Sequence, residues 1–560
     1  MGDEENTPID PPGGSVRAAA ARWPVRLTTG AFLATVAFLT VRVLAFTDGR
    51  FVYTIDDPAI HLSMAENLWR NGTWGVAPGT YESASSAPLW TLVLSPFAGM
   101  LGSAAEALPF VLNVVAAVLI LRTTTTAFTE STGWRWHRSF VSIAFLLVLP
   151  LGLFLPTLVF VGMEHLWHAF VVLSAFIALD RLLGDDRNPR ALLGLAGLLA
   201  IATGLRLETV FVAAGCALAF ALADRARAGR DRARPAFVVL AASAVPAIAI
   251  GLVNLAFGQG LLPNSIVLKT AVDEDPGFLP TPSVLFENLA TDPLLAVLLA
   301  AAIVYLAFAA GRAGARHRGF AIAWTATVVA HLLFADVGWW DRYQEYLIVS
   351  GVYLVLVIGL EIVPATSRSA LLVSLTIILV VMAGDRWTFA MHTPRGASNT
   401  YRQQVQVGEF FDRYYDGRAV AVNDLGWPSY LHDGPIVDLA GLGTREVLDA
   451  MRDDRLTRDL IGELLTRREV EVLVVHPKQY FGLVPEGWIL VGLWDLQEDR
   501  ITPLDDKVAF FAPDVDAAVE LRRQLEEFDS SLPSRVDLTH PMGLVLADFE
   551  DLRDRIAVDA

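Results

Sequence analysis

The sequence predicts a polytopic α-helical membrane protein of about eleven spanning helices, followed by a C-terminal extracytoplasmic α/β domain. Three observations predict it. Apolar runs of spanning length recur through the first two thirds of the chain, arginine clusters punctuate the short loops between them, and ordinary polarity returns after about residue 385. The 560 residues are 54% hydrophobic with a mean hydropathy of +0.46. About 20 mostly apolar residues suffice to cross roughly 30 Å of hydrocarbon.

Residues 1–26 are acidic and Pro/Gly-rich at first, then basic at Arg17, Arg22 and Arg26. The apolar run that follows is too long for a signal-peptide core and reads as an uncleaved first span. Residues 27–384 form the membrane domain. Its spans are expected at 27–46, 105–128, 139–155, 166–182, 191–203, 207–222, 236–257, 292–310, 320–334, 346–363 and 370–383. Short cytoplasmic loops are enriched in Lys and Arg. Arginine clusters at 134–138, 181–190, 225–234 and 312–318, with a weaker one at Arg368, can all lie on one side of such a path. That side is the cytoplasm, so the tail 1–26 is cytoplasmic in a multi-pass protein of the cytoplasmic (inner) membrane, in contact with membrane lipids.

The first external loop spans about 47–104. Within it, 87–101 is apolar, and counting it as a span would put Arg135 and Arg138 outside; it reads as a helix on the membrane surface. Residues 385–560 contain strand-like runs at 418–423, 435–439 and 470–475 and a helix-like run at 517–528, an alternation that suggests a small α/β domain. By the parity of the spans that domain is extracytoplasmic.

The net charge is −17 and only three lysines occur, Lys269, Lys478 and Lys507. With no basic face in evidence, a nucleic-acid partner is disfavoured. Cys216 is the lone cysteine, so an intrachain disulfide is ruled out.

Orientation collects the polar residues on the external side. The first loop carries Asp56, Asp57, His61, Glu66, Tyr81, Glu82, Ser85 and Ser86. Glu164 and His165 precede the fourth span, Arg206 and Glu208 occupy the turn between the fifth and sixth, and Asn264 and Lys269 follow the seventh. Asp336, Trp339, Trp340, Asp341, Arg342, Tyr343 and Glu345 precede the tenth. Ionisable groups at membrane depth are costly and mark functional pathways. Plainer readings stand beside this one. Asp57 before Pro58 fits a helix N-cap, which leaves Asp56 freer for chemistry. His61, four residues after Asp57, can pair with it. Trp339 and Trp340 fit an interfacial belt, Arg206 and Glu208 a structural ion pair, and Pro263-Asn264-Ser265 a turn.

The run Asp56-Asp57-Pro58-Ala59-Ile60-His61, continued by Gly72, Gly79, Tyr81-Glu82 and Ser86-Ala87-Pro88-Leu89-Trp90, resembles the first external loop of GT-C-fold glycosyltransferases. It is most similar to the polyprenyl-phosphate-sugar-dependent arabinofuranosyl- and mannosyltransferases of bacterial envelopes. Gly162-Met163-Glu164, Arg206-Leu207-Glu208, the stretch from Leu262-Pro263-Asn264-Ser265 to Lys269, and Arg342-Tyr343 fall in matching order. Arg206-Leu207-Glu208 departs from the Arg-Pro-Glu usual in that family, and the local turn there differs accordingly.

The resemblance implies a GT-C-like membrane fold. It also implies transfer of a sugar from a polyprenyl-phosphate-linked donor to an acceptor hydroxyl on a glycan, lipid or protein, with inversion. Asp56 is then the expected base, and Asp57 orients the loop or helps hold a cation. Lys269, Arg206 and Arg342 are the candidate phosphate contacts. His61, Glu82, Glu164, His165, Glu208, Asn264 and Tyr343 complete the substrate-binding set. A divalent cation is a possible cofactor, with Asp57, Glu164 and His165 as its ligands. Two other classes compete: a secondary transporter, which would more often show internal repeats and acids within spans, and a non-catalytic envelope assembly or binding protein, which leaves the Asp-Asp loop unexplained.

Overall fold

The computed structural model describes residues 22–132, 139–184, 188–222, 229–272, 282–310, 315–364 and 367–540. The N-terminal tail to residue 21 and the arginine cluster 134–138 lie outside the described residues, as do parts of the clusters at 181–190, 225–234 and 312–318.

Seven helices among the described residues are long and apolar enough to cross a membrane: Trp23–Phe46, Pro88–Glu130, Phe140–Val161, His165–Leu183, Ala233–Ala256, Pro293–Ala310 and Arg368–Tyr414. Four shorter apolar helices, Pro189–Leu205, Thr209–Leu222, Arg318–Phe334 and Glu345–Gly359, occupy the positions of four other expected spans. Among the described residues, seven of the eleven expected spans thus meet the length and composition of a membrane crossing. Of the shorter four, Thr209–Leu222 lies against Arg318–Phe334, and Pro189–Leu205 against His165–Leu183. Pro189–Leu205 and Thr209–Leu222 are apolar on their outer sides as well, with Leu193, Ile201, Val210 and Leu222 exposed.

Backbone interruptions place polar residues at one end of this bundle. The apolar run from Phe140 to Val161 is broken in two: Pro150 sits in the last turn of Phe140–Gly152, and Phe154 is left-handed at φ 55° before Leu155–Val161 begins. Proline removes a ladder donor and weakens a helix at that point. Gly162 then ends the second piece at φ 71°, and a Cβ there would sit 2.5 Å from the Tyr53 ring and 2.8 Å from Pro58. The missing side chain lets Gly162-Met163-Glu164 close directly onto the first external loop.

That loop forms a helix, Asp57–Asn71, stopped by left-handed Gly72 at φ 64°, and a second helix, Pro88–Leu101. The two pack together, and the second also contacts Pro189–Leu205. The second helix buries Trp90 and Leu94 and exposes Leu92, Val93, Phe97, Met100 and Leu101. A 3₁₀ turn, Gly102–Ala107, joins it to Leu108–Thr132.

After Arg368–Ala390, which runs through residue 385, the chain stays helical in Thr393–Thr400, a π-turn Tyr401–Val405, and Gln406–Tyr414. A six-stranded sheet follows: β1 Val420–Val422, β2 Ile436–Asp438, β3 Val472–Val475, β4 Ile489–Leu496, β5 Lys507–Ala512 and β6 Val536–Thr539. Its order is β2-β1-β3-β5-β4-β6. β1 pairs in parallel with β2 and β3, and the remaining pairs are antiparallel. Strands β1 to β3 fall on the three expected strand-like runs, and β4 to β6 extend the sheet beyond them. The helix-like run at 517–528 is Val515–Asp529, capped by Asp514 accepting the Ala517 N–H at 2.9 Å.

Both faces of the sheet are buried, with alternate residues on each. Val420, Val422, Val472 and Val474 point to one core, and Ala421, Leu473 and Val475 to the other. The first core also contains Ile60, Met64, Val76 and Ala77 from the loop that follows the first long helix. One wall of the C-terminal domain is thus supplied from more than 300 positions upstream.

Candidate functional site

The two adjacent aspartates have opposite assignments. The helix starts at Asp57 and neither carboxylate caps it. The Asp56 carboxylate instead accepts two backbone N–H groups from the first turn of helix Gly426–Leu431: Gly426 N to Oδ2 at 2.6 Å and Trp427 N to Oδ1 at 2.8 Å. A Cβ at position 426 would collide with that carboxylate, so glycine is required for the approach. Burial and the facing Asp424 carboxylate push the Asp56 pKa well above the usual range, while the two N–H donors pull it down. Asp57 Oδ2 lies 2.7 Å from Arg342 Nη1, and its side chain is 37% exposed. The capping expected of Asp57 is therefore replaced by an ion pair, and the residue expected to be freer, Asp56, is held by the C-terminal domain.

The second half of the site forms around Arg206. Helix Pro189–Leu205 ends just before it, Arg206 is extended (φ −154°, ψ 131°), and a new helix begins at Thr209. Irregular backbone at membrane depth persists only where protein or a cavity satisfies its polar groups. Arg206 Nη1 donates to Glu164 Oε1 at 2.8 Å, and Nη2 to Glu208 Oε1 at 2.5 Å. Nη1 also lies 2.7 Å from His165 Nε2. A guanidinium has no acceptor, so His165 is neutral with Nε2 unprotonated. Glu164 is fully buried and its Oε2 has no hydrogen-bond partner among the described residues. Tyr343 sits between the two arginines, its ring 5.6 Å from the Arg206 guanidinium and 5.1 Å from that of Arg342. It thus links the Arg206 group to the Asp57–Arg342 pair.

His61 does not pair with Asp57. Its Nδ1 lies 3.1 Å from Thr91 Oγ1 and 3.3 Å from Ser85 Oγ. Burial lowers its pKa; the nearby Glu164 and Asp57 carboxylates oppose this, and Arg342 and Arg206 reinforce it. A neutral His61 follows.

Two expected site residues lie elsewhere. Glu82 folds its own loop, with Oε2 accepting the Val76 N–H at 3.2 Å and Oε1 the Thr80 hydroxyl at 3.3 Å, and burial pushes its pKa up to about 8. Asn264 ties the loop after helix Ala233–Ala256 to the C-terminal domain, donating to Leu442 O at 3.0 Å and accepting from Arg445 Nη1 at 3.3 Å. Lys269 belongs to helix Asn264–Val272, and the phosphate contact expected of it concerns a side chain outside the described residues. The proposed metal ligands Asp57, Glu164 and His165 are not assembled as a chelating set: Asp57 and Glu164 each face an arginine. Among the described residues, no three His, Cys, Asp or Glu side chains converge in a way that could hold a metal ion.

The segment before Arg342 is strained. Trp339, Trp340 and Asp341 have φ of 44°, 63° and 51° in succession, and each non-glycine residue in that region costs on the order of 1–3 kcal/mol. Of the two tryptophans expected in an interfacial belt, Trp339 is exposed, whereas Trp340 is buried with its ring edge-on to Phe389. Beneath this turn is a polar group that sequence reading missed. Gln344 Nε2 donates to Asp292 Oδ2 and Asp341 Oδ1, both at 3.2 Å, and Arg386 lies 3.5 Å from Asp292. Asp292 and Arg386 stand at the ends of apolar runs, where they read as ordinary helix termini; only their burial sets them apart.

Residues 395–511 match a family model described as a domain of unknown function (DUF8728). No curated protein matches the chain. Among solved structures, the chain is similar to the crystal structure of the Archaeoglobus fulgidus oligosaccharyltransferase in complex with Zn and sulfate. That likeness has 14% identity and a TM-score of 0.45, and covers 89% of this chain and 77% of that one.

Proposed function

We propose that the protein is a membrane glycosyltransferase that moves a sugar from a polyprenyl-phosphate-linked donor to an acceptor hydroxyl on the extracytoplasmic face. The observation that carries this reading is the convergence of Asp57, Glu164, Arg206, Glu208, Arg342 and Tyr343 at one end of an apolar bundle. A buried guanidinium suits a phosphate, which it can hold with two donors. A donor phosphate arriving at Arg342 competes directly with Asp57, and Arg206, held by Glu164 and Glu208, stands beside it as a second, fixed cation.

The base role passes from Asp56 to Asp57. Asp56 has both oxygens engaged by Gly426 and Trp427, whereas Asp57 is the more open carboxylate and is released when Arg342 turns to phosphate. The acceptor oxygen attacks the anomeric carbon, and the bond to the phosphate oxygen breaks with its electron pair on phosphate. The acceptor proton passes to Asp57. Phosphate is a good leaving group and needs little acid assistance, so one base and two cations suffice. Displacement in a single step inverts the anomeric centre. Glu164 and Glu208 hold Arg206 in place, and His61 shapes the loop as a neutral hydrogen-bonding group. Lys269 is a third phosphate contact by its position in the chain.

The test is to purify the full chain, extract the lipid that accompanies it and identify it by mass spectrometry. A polyprenyl phosphate, with or without its sugar, is the expected result. A preparation holding only bulk phospholipid, and unable to bind added polyprenyl phosphate, overturns the reading.

A further inference from the structure

The C-terminal domain holds a second polar site, separate from the Arg206–Arg342 group. A cavity of about 20 Å³ opens where β1 and β3 end, lined by Gln403, Gln404, Asn423, Asp424 and His476 among apolar neighbours. Its volume suits a single water-sized occupant. In an open α/β sheet the carboxyl ends of parallel strands are where ligands bind.

Hydrogen bonds fix what faces this space. Gln403 Nε2 donates to the carbonyls of Asp505 and Asp506, both at 3.1 Å, and Gln404 Nε2 donates to Asp424 Oδ2 at 2.6 Å. Each amide is thereby held in one orientation, since its nitrogen faces only acceptors. Both glutamines are at least nine-tenths buried, yet neither Oε1 has a hydrogen-bond partner among the described residues. Both residues sit in the π-turn Tyr401–Val405, a helix irregularity often found at functional sites.

The remaining polar groups narrow the occupant. Asn423 Oδ1 accepts the backbone N–H of His476 at 2.7 Å, and its own amide nitrogen lies 3.2 Å from His476 Nδ1. That contact makes Nδ1 an acceptor, so a neutral imidazole carries its proton on Nε2 and is no metal ligand. The donors left are oxygens alone. The surroundings are acidic: Asp424 lies within electrostatic reach of Asp56 and Asp438, and His476 of Asp424 and Asp505.

We propose that Gln403 Oε1, Gln404 Oε1 and the Asp424 carboxylate form a binding site for one hard metal cation, sodium or calcium in type. Amide and carboxylate oxygens are the ligands such ions take. A bound cation offsets the repulsion between Asp424 and Asp56, and so strengthens the grip of Asp56 on helix Gly426–Leu431. The ion is thereby structural, coupling the C-terminal domain to the first external loop.

The test uses the full chain in detergent, stripped with a chelator and then melted in choline, sodium, magnesium or calcium chloride at matched ionic strength. A saturable rise in Tm of about 2–3 °C with calcium or sodium over choline is expected, as for a ligand that binds only the folded state. Gln404→Met should abolish the rise, and Gln404→Glu should move its midpoint to lower calcium concentration. Equal Tm in all four salts, or a rise that survives Gln404→Met, overturns the proposal and leaves a bound water as the occupant. Should Gln404→Met not fold, equilibrium dialysis of the unsubstituted protein with radioactive calcium and sodium decides: no stoichiometric binding of either overturns it.

Discussion

Asp56 and Asp57 are neighbours in the chain but serve different parts of the molecule. Asp57 pairs with Arg342 across the candidate site, and Asp56 anchors a helix 370 residues downstream. Asp57→Asn should reduce transfer by about 10²–10⁴-fold, the usual worth of a general base, with Tm little changed. Asp56→Ala should act mainly on stability, costing about 1–2 kcal/mol as the loss of a helix cap does; thermal denaturation compared with turnover separates the two. The acidic pair itself was legible in the sequence, but its division of labour was not, because the partner of Asp56 is set by tertiary docking and not by local spacing. Glu82 offers a pH test. Its carboxyl rises from 4.5 to about 8 on folding, so between those values the folded state holds a proton that the unfolded chain has released. Stability therefore falls as pH rises through that window. Glu82→Gln should flatten this part of the Tm–pH curve while leaving the plateau below pH 4.5 unchanged.

Among elements, the long apolar helices are the most legible, because each needs only its own composition to be recognised. The three parallel-paired strands were equally plain as short apolar runs. β4 to β6 were missed: β4 carries a register shift between Leu490 and Gly492, and β6 has a half-exposed pattern with little apolar signal. The breaks in helices matter more for the site than the helices do. Gly162 at φ 71° lets Glu164 approach the first loop, and no L-residue with a Cβ fits against Tyr53 and Pro58. Gly162→Ala is expected to cost about 1–3 kcal/mol through backbone strain and the displaced ring. It should also lower kcat, because Glu164 and with it Arg206 shift; unchanged Tm and turnover would show that the loop absorbs the methyl group freely.

At the scale of the whole molecule, the sidedness proposed from arginine placement can be tested. Reporter fusions after Gly184 and Asp385 should read cytoplasm and exterior respectively, and the reverse pattern would turn the candidate site to the other side of the membrane. The apolar face that Ile60, Met64, Val76 and Ala77 share with β1 and β3 bears on the order of events during synthesis. The first external loop leaves the ribosome more than 300 residues before the strands that cover it. Contacts of such long sequence separation form late and slowly, so this loop must wait, with its apolar side exposed, until the last third of the chain has been made. Asp56 cannot find its helix earlier, and the Asp57–Arg342 pair is fixed on a loop still awaiting its cover. Activity should therefore appear only on completion of the sheet, and the protein's most vulnerable interval is the one between synthesis of its first loop and synthesis of its last strand.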